Sequence, residues 1–82
     1  MVVILSKSLN KDLQKYSTLD LLKMLQEYEQ YKDSGSMDDG GIRGEIEYFI
    51  QQNNEPYPFG VASCIVALEV SVVLLTRLNH IE

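Results

Sequence analysis

The sequence predicts an all-α single domain of three main helices, with room for a short fourth at the start. A long apolar C-terminal helix should join copies of it into a homo-oligomer. Three observations carry this. Apolar residues recur at three- and four-residue steps through most of the chain. Only Met1 to Leu5 reads like a strand, and no second run exists to pair with it. Phe59 to Leu78 is apolar nearly all the way round, which a helix with one face in water cannot be.

Residues 1–16 are expected to form an N-terminal arm or short helix, with Ser8 as its N-cap and Leu9, Leu13 and Tyr16 on one side. Ser17 and Asp20 have the S-x-x-D spacing of a capping box, so a helix is placed at 17–33. Its apolar stripe is Leu21, Leu22, Leu25, Tyr28 and Tyr31, with Lys23, Gln26, Glu27, Glu29 and Gln30 opposite. Asp33 to Gly41 is rich in Gly, Ser and Asp and breaks the chain. The next helix spans 39–53, with Ile42, Ile46, Phe49 and Ile50 inward and Glu45, Glu47 and Gln51 facing water. Pro56 and Pro58 bar a helix between Asn53 and Pro58, and Pro58 suits a first-turn position. The last helix runs over 58–80.

In that helix Ser63, Ala67 and Ser71 fall at four-residue steps, with Gly60 and Cys64 beside them. Small side chains in that pattern let helix backbones approach closely, so these five residues are the expected oligomer interface. Glu69, Thr76 and His80 share a thin polar seam. Glu69 either pairs with Arg43, Arg77 or a neighbouring subunit's base, or lies partly exposed on that seam. As a membrane span, Phe59 to Leu75 is at the short limit, holds Glu69 past its middle, and lacks tryptophan. A buried soluble helix is the preferred reading, and a membrane-associated regulator of holin-like or antiholin-like type is the alternative.

Composition narrows the function. Twelve acidic and seven basic side chains give a net charge of -5, which disfavours DNA or RNA as partner. A DNA mimic would be more acidic still. The single Cys64 excludes an internal disulfide and fits a reducing cytoplasm. The N-terminal apolar run is too short for a signal peptide, so a cytoplasmic protein is expected.

Catalytic signatures are missing: no Walker loop, no G-x-G-x-x-G, no H-E-x-x-H and no paired cysteines. His80 stands alone near the C-terminus, where it suits the helix dipole better than a metal. Cys64 in an apolar helix reads as a packing residue. Asp38-Asp39-Gly-Gly41 lacks the alternating ligands of a calcium loop and reads as turn chemistry. No enzyme activity, cofactor or metal is expected. Tyrosine is abundant and suits binding faces. Lys11, Lys15, Tyr16 and Arg43 are the candidate ligand-binding residues, where basic groups lie beside aromatics or helix starts; an ordinary solvated helix face is the competing reading.

Ile42-Arg43, Ile50, the Pro56-Tyr-Pro58 break, Ala67-Leu68-Glu69 and the close Asn79-His80-Ile81-Glu82 together resemble the C-terminal half of a phage family. Its members are small anti-CBASS proteins that act as cyclic-oligonucleotide sponges. The resemblance spans about half the chain. It implies a helical homo-oligomer, with the last helix at the subunit interface, that sequesters a cyclic nucleotide signal without cleaving it in the host cytoplasm. The family's tryptophan- and alanine-containing close is replaced by Val72-Val-Leu-Leu75, and no binding residue carries over. The sequence thus points to a non-enzymatic binding protein. It would act in phage counter-defence by sequestering a cyclic nucleotide or by blocking a host protein.

Overall fold

Three helices wrap a fourth in the computed structural model, which describes residues 7–37, 39–52 and 58–79. They are α1 (Lys7–Leu13), α2 (Thr18–Ser34), α3 (Gly41–Gln52) and α4 (Phe59–Asn79), with no strand among the described residues. The expected N-terminal arm, Asp38, the Asn53–Tyr57 break and His80 lie outside the described residues.

α1 has only seven residues and could not persist alone. Leu9 and Leu13 hold it by burying against the core. Ser8 lies inside α1, whose helix begins at Lys7, and Tyr16 lies beyond its end. The chain leaves through tight bonds, with Lys15 N–H donating to Asp12 O at 3.3 Å and Tyr16 N–H to Leu13 O at 3.1 Å.

α2 starts where its capping box predicts. Ser17 is extended, and its Oγ accepts from the Asp20 N–H at 3.1 Å. Gly35, at φ 78°, ends α2 by donating to Tyr31 O at 2.8 Å, a left-handed position that favours glycine. The buried side chains are Leu21 and Met24, with Leu25, Tyr28 and Tyr31 partly covered. Leu22, placed on the inward stripe by its type, is 46% exposed.

α3 begins at Gly41, two residues later than its spacing suggested. Glu27 of α2 caps it: Oε1 accepts from the Ile42 N–H at 3.3 Å, where a carboxylate also meets the positive end of the helix dipole. Gly40 permits this approach, because a side chain there would collide with the Glu27 carboxylate. Ile42, Ile46 and Phe49 point inward as expected. Glu45 does too, at 5% exposure, which corrects its expected place in water.

α4 is the axis on which α1, α2 and α3 all pack. It runs antiparallel to α2: Arg77 reaches Thr18 at one end, and Gly60 lies beside Tyr31 at the other. Tyr31 also meets Phe59 edge-on at 5.8 Å between ring centres. Ala62, Val66, Val70 and Val73 form its inner face.

Candidate functional site

Two regions of the molecule carry unusual chemistry: a polar corner where α1 meets α3 and α4, and an apolar face on α2 and α4.

The corner is built on two buried acids. Glu45 Oε1 accepts from the Tyr16 hydroxyl at 2.6 Å and lies 3.6 Å from Lys15 Nζ. Lys15 also pairs with Asp12 at 3.1 Å, and its ammonium lies 5.3 Å from the Tyr16 ring centre. Asp12 Oδ2 and Glu45 Oε2 are buried with no hydrogen-bond donor among the described residues. A hydrogen bond between the two carboxyls requires a proton on one of them. Burial, and then the hydrogen bond with Asp12, pushes the Glu45 carboxyl above the usual carboxylate range. The same bond holds the Asp12 carboxyl below its ordinary value. Lys15 is held more firmly protonated, first by its bond to Asp12. Burial, then the bond to Glu45, raises the Tyr16 phenol.

Glu69 is the second acid, fully buried at 0% exposure, which settles its two sequence readings in favour of burial. Its Oε1 accepts from Asn10 Nδ2 at 2.9 Å, and Asn10 Oδ1 in turn accepts from Gln14 Nε2 at 2.8 Å. Neither arginine proposed for it serves there. Arg77 donates to Tyr16 O at 2.7 Å, Gln14 O at 3.1 Å and Thr18 Oγ1 at 3.1 Å, pinning the α1–α2 link. Arg43 donates to Met37 O at 2.8 Å and pairs with Asp39 and Glu47.

Of the four candidate ligand-binding residues, the structure therefore brings Lys15 and Tyr16 together. Lys11 is exposed on α1, and Arg43 is engaged at the start of α3. The basic-aromatic pair comes with Asp12 and Glu45, which sequence reasoning left out of the site. Their combined geometry locks the α1–α2 corner to α3. Among the described residues, no group of three or more His, Cys, Asp or Glu side chains is placed to hold a metal.

The expected interface residues divide. Ser63 and Ala67 are buried within the chain, Ser71 is half-buried, and Gly60 and Cys64 are exposed. This small-residue side of α4 lies along α2, where Leu25, Tyr28, Glu29, Cys64, Ala67, Leu68 and Ser71 line a groove of about 310 Å³. Beside it the surface is apolar: Leu19 and Leu22 on α2, and Val61, Leu68, Leu75 and Leu78 on α4, are each about half exposed. The signal for this face was in the sequence as Val61, Leu68 and Leu75, spaced by seven. α4 is long and apolar enough to cross a membrane, and 39% of its most apolar stretch is buried within the chain. No protein-family model matches this chain, and no characterised protein or solved structure matches it either.

Proposed function

We propose that the protein is a non-enzymatic interaction module whose working surface is the apolar face of α2 and α4, and whose partner is a protein. The observation that carries this is the cluster of half-exposed aliphatic side chains around the groove beside Leu68. A contiguous apolar patch of this kind costs solubility unless something covers it. The nucleotide-sequestering reading rests on Lys15 and Tyr16, both engaged by Asp12 and Glu45. An anionic ligand would have to approach two carboxyls there, with Arg43 held elsewhere. A block on a host protein is therefore the better form of the counter-defence reading.

On this proposal α4 is the core helix of a cytoplasmic protein. Two measurements test it. Calorimetry with a panel of cyclic nucleotides is expected to give no binding heat; micromolar binding that Lys15→Ala or Tyr16→Ala abolishes restores the nucleotide reading. Expressed without detergent, the protein is expected in the supernatant after ultracentrifugation. Recovery in the membrane pellet after a carbonate wash favours the membrane-associated regulator.

A further inference from the structure

We infer that the α2–α4 face is covered by a second copy of this chain, in a twofold pair whose α4 helices run antiparallel and cross at Leu68. This rests on the proposed protein-binding role of that face and names its partner.

The pattern on α4 comes first. With α1, α2 and α3 packed on its inner sides, roughly 140° of its circumference remains outward at 100° per residue. Val61, Leu68 and Leu75 lie along the middle of that arc, flanked by Cys64, Ile65, Ser71 and Val72. The pattern is symmetric about Leu68. An antiparallel mate centred there sets Val61 against Leu75 of the partner subunit, and Cys64 against Val72 of the partner subunit. A twofold interface needs such self-complementarity.

The same face allows close approach. Leu68 is 51% exposed and lies at the wall of the groove formed by Leu25, Tyr28, Glu29, Cys64, Ala67 and Ser71. The twofold axis that sets Val61 against Leu75 of the partner subunit also sets Leu68 against Leu68 of the partner subunit and groove against groove. The small residues at 64, 67 and 71 keep the groove beside that contact open.

Area and charge choose the occupant. Half-exposed aliphatic side chains present on the order of 100 Å² each, so the six on this face offer roughly 600 Å² per copy, and a pair buries roughly 1,200 Å², the lower bound for a stable specific interface. Between Phe59 and Thr76 the one charged residue is Glu69, which is buried against Asn10. The outward strip of α4 is therefore uncharged over that length. An identical copy brings an equally neutral strip of α4, with Glu29 of each copy on the α2 side of the groove.

The test uses the full chain. Light scattering at tens of micromolar is expected to give twice the 9.3 kDa chain mass. Leu68→Glu brings a carboxylate from each copy to the axis and should raise the dissociation constant at least 100-fold, with helicity by circular dichroism unchanged. Direction is read by oxidation. Val72→Cys should form a covalent dimer with Cys64 of the partner subunit. The unsubstituted protein should not, because antiparallel α4 helices hold the two Cys64 thiols about 12 Å apart along the axis at 1.5 Å per residue. Rapid Cys64-to-Cys64 crosslinking overturns the antiparallel arrangement. A monomer whose exposed face binds a hydrophobic dye overturns the pair and leaves a foreign protein partner standing. A monomer that binds neutral phosphatidylcholine vesicles overturns both.

Discussion

Adjacent residues Leu68 and Glu69 sit in opposite regions of the same helix. Glu69, the polar one, is buried against α1; Leu68, the apolar one, is half in water. Around Glu69 the molecule places acids, amides and Arg77 in a hydrogen-bonded corner that fixes α1 and its link to α2. Around Leu68 it places aliphatic side chains that are about half exposed. The corner holds this fold together, and the face is held ready for association. Substitutions at the corner should therefore act on stability, and those on the face on assembly.

The largest effect is expected at Glu69. Glu69→Ala empties a fully buried site and strands Asn10 Nδ2, so urea unfolding should show a loss of about 3 kcal/mol, as for other buried side chains removed together with a hydrogen bond. A loss below the usual surface scatter of about 0.5 kcal/mol would place Glu69 with the face instead of the corner.

Arg77 comes next. Arg77→Met keeps the apolar stem along α4 but removes donors to two carbonyls and a hydroxyl in the α1–α2 link. About 2 kcal/mol of stability should go with them. Arg77→Lys should recover less than half of it, because an ammonium cannot reproduce the planar fork. Hydrogen exchange should locate the loosening at residues 14–18, and exchange spread evenly over α4 would count against a local pin.

How far the sequence revealed these two regions depends on position against residue type. The Ser17–Asp20 box and the Asp33–Gly41 break were legible because each is a local signal; the small residues of α4 were read as a contact between copies, whereas Ser63 and Ala67 pack within the chain. Glu45 was placed in water and Glu69 was left between burial and exposure, although both sit on their helices' inward stripes: Glu45 three after Ile42 and four before Phe49, Glu69 three after Val66 and four before Val73. Spacing placed them inside, and their polarity argued them out. Leu22 failed the other way, counted inward by type while its position is on the flank. The partners that make the buried acids tolerable, Asn10 and Tyr16, come from distant segments that no periodicity links. The late start of α3 has the same origin, since its cap is Glu27 of another helix.

That cap yields a third prediction. Gly40→Ala should push the Glu27 carboxylate away from the Ile42 N–H and cost about 1 kcal/mol, the usual value of a lost cap. Glu27→Ala should cost a similar amount, and the double variant no more than either alone. Additive losses would mean that the two residues act separately.

The smallest effect is the most specific to the corner, and it depends on pH. In the folded protein Glu45 titrates above its unfolded range, so the native state binds its proton more tightly than the unfolded chain does. Stability from that proton is fully present below the unfolded glutamate range and is lost as pH rises through the raised folded value. Asp12 is shifted down and acts in the opposite sense, at lower pH: its contribution is present above the unfolded aspartate range and lost as pH falls through its depressed value. Above the unfolded glutamate range the Glu45 effect should dominate, and the protein should weaken as pH rises toward neutrality. Glu45→Gln stays neutral throughout. Its amide oxygen can still accept from Tyr16, and its NH₂ can donate to Asp12 Oδ2, which is otherwise without a donor among the described residues. The lost pairing with Lys15 is minor, since that ammonium is largely in solvent. The variant should match the wild type at the acid end of the glutamate range and exceed it at neutral pH. Thermal melts followed by circular dichroism at the two pH values give the answer directly. The background repulsion of an acidic chain is nearly common to both proteins, so the difference between their profiles isolates the carboxyl pair. Parallel profiles would mean that Asp12 and Glu45 do not share a proton.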